Sequence, residues 1–181
     1  MKRLICIAAL CIAAAVLLFG STFLLSEHKK SGAPKDFSLR FSWWYDEARK
    51  NVIDTQAGSI QKAISADGTA SARLEPSPEL LRQMYELICK YRLADIEREM
   101  SSRELANDRS KAIAMSPLLC YELSVTMNGE SFLVCGDQTA VYHMTTSEDA
   151  AHFINAVVSL QKMTEALPEW KSLPPIDEGY D

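Results

Sequence analysis

The sequence predicts an α+β fold: an antiparallel sheet with two amphipathic helices packed on one face, preceded by an N-terminal transmembrane helix. Three observations carry this. A basic start runs into a long charge-free apolar stretch. Several later segments alternate apolar and polar residues around Asx-Gly pairs. Two other segments open with helix-capping residues and continue at helical spacing.

The apolar stretch comes first. Met1-Lys2-Arg3 is basic, and Leu4 to Leu25 follows without a charge before Ser26-Glu27-His28-Lys29-Lys30. Its 22 residues can span about 30 Å of hydrocarbon as a helix. A cleaved signal peptide has an apolar region of roughly 7–15 residues and a small-residue cleavage site. Here Gly20-Ser21-Thr22 is the best such site. Cys11 follows Leu10, and Cys6 leaves too short an apolar region before it, so neither suits lipidation. Length favours an uncleaved signal anchor over residues 1–30, with secretion after cleavage as the alternative. Basic residues flank both ends, but the very short basic tail favours a cytoplasmic N-terminus. The expected location is therefore the cell membrane, single-pass, with residues 4–25 in the bilayer and the domain outside.

Residues 31–35, Ser31-Gly32-Ala33-Pro34-Lys35, form a linker of breaker residues. The extracytoplasmic α+β domain then occupies residues 36–181. Phe37, Leu39, Phe41, Trp43 and Tyr45 alternate with Ser38, Arg40, Ser42 and Trp44, which is the period of a strand with one buried face. Asn51 to Thr55 is a second short strand. Ile60 to Ser65 and Thr69 to Glu75 form a hairpin around Asp67-Gly68, since Asp-Gly supplies the positive φ angles of a tight turn.

Ser77-Pro78-Glu79 is a helix start: Ser caps, Pro suits the first turn, and Glu suits the positive helix end. Leu80, Met84, Leu87, Ile88 and Tyr91 mark the buried face. Asp95 to Lys111 is highly charged with poor apolar spacing, and is expected to run over the surface. Leu119 to Met127 alternates again and meets Asn128-Gly129, which pairs Met127 with Glu130, Val125 with Phe132 and Leu123 with Val134. Ala140 to Met144 is a third strand of this half. Thr146 with Asp149 resembles a capping box, and Phe153, Ile154, Val157 and Leu160 form the buried stripe of the last helix. The tail from Leu167-Pro168 onward is expected to be neither helix nor central strand, because it is rich in proline. Each half thus has an Asx-Gly hairpin followed by a capped helix, although residue identity between the halves does not establish a repeat.

Composition narrows the function classes. Net charge is −5 overall, and residues 31–181 carry 15 basic and 23 acidic side chains, or −8. Nothing resembles a phosphate-neutralising stripe, so nucleic acid is not an expected partner. HExxH, GxSxG, GxGxxG and P-loop motifs are absent from the sequence, and no cofactor or metal is implied. Cys89, Cys120 and Cys135 lie in the domain without a CxxC spacing. In the hairpin register Cys120 faces Asp137 and Cys135 faces Glu122, so the two thiols sit diagonally, about 7–8 Å apart, beyond ordinary disulfide reach. His143 and His152 with Cys135 and Asp137 match no ligand spacing.

Trp43-Trp44-Tyr45 is the most suggestive cluster. Alternation turns Trp44 away from the core face, where it could stack on a sugar or anchor a peptide. The competing reading is that a segment behind the sheet, such as the tail around Trp170, covers it. Trp44 is accordingly the candidate binding residue, with an envelope protein or glycan as the expected partner.

Asn51-Val52-Ile53-Asp54-Thr55, Ser77-Pro78-Glu79-Leu80 with Met84-Tyr85 and Ile88, and the closing Leu167-Pro168 to Gly179-Tyr180 carry one further observation. In these segments, spread over most of residues 36–181, the chain resembles membrane-anchored or secreted α+β domains of Gram-positive bacteria. The resemblance implies no activity and no catalytic residues. Many such domains are lipid-anchored; lacking an acylation motif, this chain would depend on its apolar helix. The expected function is a membrane-tethered binding or interaction domain at the cell envelope. Alternatives are an envelope hydrolase with carboxylates that the sequence does not single out, and a structural accessory subunit of a membrane complex.

Overall fold

The computed structural model describes residues 32–45, 47–65, 68–96, 99–100, 118–137 and 148–175. The apolar run at residues 4–25, the expected strand Ala140–Met144, the Thr146 cap, His143 and Gly179-Tyr180 lie outside them. Among the described residues, no helix is long and apolar enough to cross a membrane.

The domain is α+β. Its strands are β1 (Ser38–Trp44), β2 (Asn51–Asp54), β3 (Ser59–Ser65) and β4 (Gly68–Arg73), then helix α1 (Pro78–Lys90) and the two-residue strand β5 (Glu99–Met100). After these come β6 (Cys120–Met127), β7 (Glu130–Asp137), helix α2 (Glu148–Ala166) and the short helix α3 (Pro168–Ser172). The strands form one sheet in the order β4-β3-β2-β1-β6-β7-β5. Six of them pair antiparallel, and β5 adds a two-residue parallel pairing onto β7. That pairing lies in the stretch expected only to cross the surface.

Registers follow from side-chain alternation. Ile60, Ile53, Phe41, Leu123 and Val134 face one another strand by strand across the sheet. All five are essentially inaccessible to solvent. Burying each contributes about 1.5–3 kcal/mol relative to exposure. A one-residue slip of any strand would turn its apolar set outward, so the row locks the register.

Helices cover this face. Leu80, Met84 and Ile88 of α1 and Phe153, Ile154, Val157 and Leu160 of α2 share one core with the inward strand residues. Ring contacts show the docking: Phe37 against Tyr85, and Tyr121 edge-on to Phe153 at 6.3 Å. Ser77 caps α1 as expected, its Oγ accepting from the Leu80 N–H at 3.1 Å. Pro78 occupies the first turn, where its missing N–H costs nothing.

The tail corrects an expectation. Residues 168–172 form a helix, because Pro168 sits at its first turn rather than inside it. This helix delivers Trp170 onto Trp43, stacked at 5.3 Å, while Phe41 lies 5.1 Å from the other end of the stack. Lys62, also inward-facing, is buried beside the Trp170 ring with its ammonium 5.4 Å from the ring centre. Its aliphatic stem covers apolar surface there.

Two turns are closely specified, one of them by a remote acid. Asn128 and Gly129 have φ of 55° and 78°, and the hairpin register is the expected one, with Val125 opposite Phe132. The Asn128 and Gly129 amides donate to Asp36 Oδ1 and Oδ2, at 3.1 and 2.6 Å. These donors, Gly129 foremost, hold the Asp36 carboxyl below its ordinary value. Between β2 and β3, Gly58 has φ of 63°, and a Cβ there would meet the Leu74 carbonyl oxygen at 3.0 Å.

Gly58→Ala is therefore expected to destabilise by about 1–3 kcal/mol through positive-φ strain, read as a lower urea midpoint at unchanged m-value. A neutral result would mean that the turn relaxes freely. For Asp36 the folded-state value is depressed, so its stabilisation is present above the ordinary value of 3.8 and is lost as pH falls through the lowered one. The stability gap between wild type and Asp36→Asn should be open at neutral pH and close on acidification. A gap constant with pH would contradict the turn-capping role.

Candidate functional site on the outer sheet face

The strand residues between the inward ones build the opposite face. On β1 these are Ser38, Arg40, Ser42 and Trp44. Arg40 stands opposite Asp54 on β2 and Ser124 on β6, Ser42 opposite Val52 and Glu122, and Trp44 opposite Cys120. Ser59 and Gln61 of β3 and Ser71 of β4 continue the face outward.

A cavity of about 260 Å³ opens here. Val52 lies among its lining residues with the polar groups of Arg40, Ser59, Gln61 and Ser71, while Glu47 and Lys50 from the β1–β2 connection form its rim. Strands make a stiff base for such a site, since their spacing is fixed by ladder hydrogen bonds.

Each cation is held in place. Arg40 Nη1 donates to Asp54 Oδ2 at 2.8 Å, and the Arg40 side chain remains 51% exposed. Asp54 Oδ1 accepts from the Gln56 and Ala57 amides at 3.0 and 2.8 Å, so one carboxylate both closes the β2–β3 turn and orients the guanidinium. Burial alone would raise the Asp54 value; the Ala57 amide, the Arg40 guanidinium and the Gln56 amide outweigh it and hold the carboxyl low. Next to Asp54, Thr55 Oγ1 accepts from the Leu39 amide at 2.8 Å and lies 3.1 Å from the Leu39 carbonyl, extending the β1–β2 ladder through a side chain.

Lys50 is placed by its neighbours. Gln61 Nε2 donates to the Lys50 carbonyl at 2.9 Å, and Asn51 Oδ1 accepts from the Ala63 amide at 2.9 Å. The Lys50 ammonium then lies 3.9 Å from the centre of the Trp44 ring and 3.9 Å from Glu47 Oε1. A cation over an indole face is attracted by the ring quadrupole, by about 0.5–1 kcal/mol where solvent is near.

Trp44 is thus neither bare nor in the core. It is half-buried on the outer face, with Lys50 over its ring. Trp170 does not cover it: that ring stacks on Trp43, on the other side of the sheet. Sequence alternation identified the face that Trp44 occupies. It did not identify Lys50, Arg40 or Asp54, whose proximity arises only from strand pairing and a turn.

The remaining candidates stay dispersed. Cys89, Cys120 and Cys135 are in no disulfide, and Cys120 and Cys135 hold the diagonal positions expected from the hairpin. Burial, reinforced by Asp137 and Glu47, pushes the Cys120 thiol up, which suits an inert thiol rather than a nucleophile. His152 packs near the Tyr91 ring, 3.8 Å from Glu148 Oε1. Among the described residues no three His, Cys, Asp or Glu side chains gather as a metal site. Asp36, Asp54 and Glu79 are each held below the ordinary carboxylate range by donors, whereas a general acid needs its value raised.

No family model, curated protein or solved structure matches this chain.

The two adjacent tryptophans should separate cleanly by stability. Trp43→Ala empties a buried aromatic stack and is expected to cost about 3–5 kcal/mol. Trp44→Ala removes a half-buried ring and one cation–π contact, and is expected to cost about 1–2 kcal/mol. Chemical denaturation of both variants checks this. Equal losses would mean that the outer face is packed like the inner one.

Proposed function

We propose that this chain is a membrane-tethered binding domain at the cell envelope, and that it presents the outer sheet face around Arg40, Lys50 and Trp44 to its ligand. One observation carries the reading: a polar cavity lies on the face opposite the helices, lined by Arg40 and Lys50, with the Lys50 ammonium over the Trp44 ring. Ligand sites are usually concave and mostly apolar with a few placed polar groups; this cavity is mostly polar, which suits a hydrophilic ligand.

The tether rests on the 22-residue apolar run after Met1-Lys2-Arg3. Its length suits a spanning helix, and the short basic tail suits a cytoplasmic N-terminus. In this reading Trp44 is the surface on which the Lys50 ammonium rests before a ligand takes it, with an envelope glycan or protein as partner.

Two measurements test the proposal. Protease added to intact cells should degrade residues 31–181 while the untreated chain stays with the membrane fraction. Full protection, or release of a shortened chain into the medium, would overturn the tether. Purified full-length protein in detergent should be retained on isolated envelope material, and Trp44→Ala with Lys50→Gln should abolish retention without unfolding the domain. Undiminished retention by that double variant would move the binding face elsewhere.

A further inference from the structure

We infer that the outer-face cavity takes a single carboxylate carried on a small polar body, such as a sugar acid or the C-terminal residue of a peptide. The inference deepens the binding-domain reading and rests on it.

The donor set points to an anion. The bond to Asp54 uses one Arg40 N–H out of the five that a guanidinium offers in a planar fork. That fork matches a carboxylate edge, which can accept two parallel bonds. Asp54 fixes the guanidinium before any ligand arrives, so less conformational freedom is lost on binding. Lys50, also lining the cavity, supplies a second positive charge, and Glu47, its ion partner at 3.9 Å, is exposed and easily displaced by a stronger acceptor.

Magnitudes limit the ligand. With Glu47 displaced, Arg40 and Lys50 against Asp54 leave a formal charge of about +1, room for about one negative charge on the ligand. Residues 31–181 carry −8, so a polyanion would be repelled beyond the cavity mouth. The volume of about 260 Å³ falls below the roughly 300–1,000 Å³ of sites for drug-sized ligands. It suits one monosaccharide or one amino-acid residue. The hydroxyl and amide lining from Ser59, Gln61 and Ser71 favours a hydroxylated or amide-bearing body over a hydrocarbon one.

The test uses full-length protein in detergent and equilibrium dialysis with matched probes. Glucuronate against glucose represents the sugar source, and N-acetylalanine against its amide represents the peptide source. At least one acid should bind, with a dissociation constant on the order of 1 mM, and about tenfold more tightly than its neutral counterpart. Whichever acid binds identifies the source. Arg40→Gln should weaken the acid at least about tenfold and so erase its advantage over the neutral probe, while Arg40→Lys, which keeps charge but not the fork, should restore only part. If Arg40→Gln fails to fold, Lys50→Gln provides the same comparison at the second cation. Acid and neutral probes binding alike, with both lost in Trp44→Ala, would overturn the carboxylate assignment and leave the binding face standing. No binding by either acid, or wild-type affinity in both Arg40→Gln and Lys50→Gln, would overturn the inference. If the Trp44→Ala, Lys50→Gln double variant also retained wild-type attachment to envelope material, the binding-face reading would fall with it.

Discussion

Pairing of β1 with β2 on one side and β6 on the other joins the two halves of the sheet. Its inward side chains, Leu39, Phe41 and Trp43, touch or neighbour most of the core, and all three are buried. Phe41 lies opposite Ile53 and Leu123 at once, and its ring stacks near both Trp43 and Tyr121. The same strand sets the outer face, because alternation makes Arg40, Ser42 and Trp44 the obligatory reverse of that core row. A shift of β1 by one residue would expose the aromatic stack and bury Arg40 among apolar groups, at several kcal/mol for the charge alone. Core and cavity therefore share one register and cannot vary independently.

Polar side chains finish what the apolar row begins. Asp36 reaches the Asn128-Gly129 turn from more than ninety positions earlier in sequence. Asp54 closes its own turn and holds Arg40. Asn51 bonds the Ala63 amide and reaches toward the Trp43 carbonyl at 3.4 Å. Asp36 and Asp54 bond turn amides that the strand ladders leave over at their ends, and Asn51 bonds a backbone amide of the neighbouring strand. The cavity lies among these ends, so its side chains are oriented by bonds whose first role is to close turns.

Strand and helix positions were legible in the sequence because their signals are local. The alternation from Phe37 to Trp44, the Asn128-Gly129 turn and the Ser77-Pro78 cap each fix a structure within a few residues, and the structure has all three. The order of strands was not legible: a period of two names a buried face without naming a neighbour. The tail misled for a different reason. Proline was weighed as a breaker, whereas Pro168 at the first helical position starts a turn that only the docking of Trp170 on Trp43 makes worthwhile. For the site, Trp44 was visible as an outward aromatic. Arg40 and Asp54 are fourteen residues apart, and nothing in either one's local sequence indicates that they meet.

Trp43 and Trp44 show how one dipeptide can serve two unlike environments. Trp43 sits in a dry stack between Phe41 and Trp170, where its area gives stability and its surroundings admit no ligand. Trp44, one residue on, meets water on part of its surface and a lysine on its ring. An ammonium over an indole keeps much of its hydration and is worth about 0.5–1 kcal/mol, too little to hold Lys50 against a competing partner. The backbone bond from Gln61 to the Lys50 carbonyl fixes the residue's root, while the ammonium stays free to leave the ring. Strong anchoring of the main chain with weak anchoring of the charge is what a binding rim requires, since the charge must transfer to a ligand without disturbing the strands beneath. The core half of the dipeptide makes that arrangement feasible: Trp43 holds β1 in register, so the contact at Trp44 contributes the smaller share of stability.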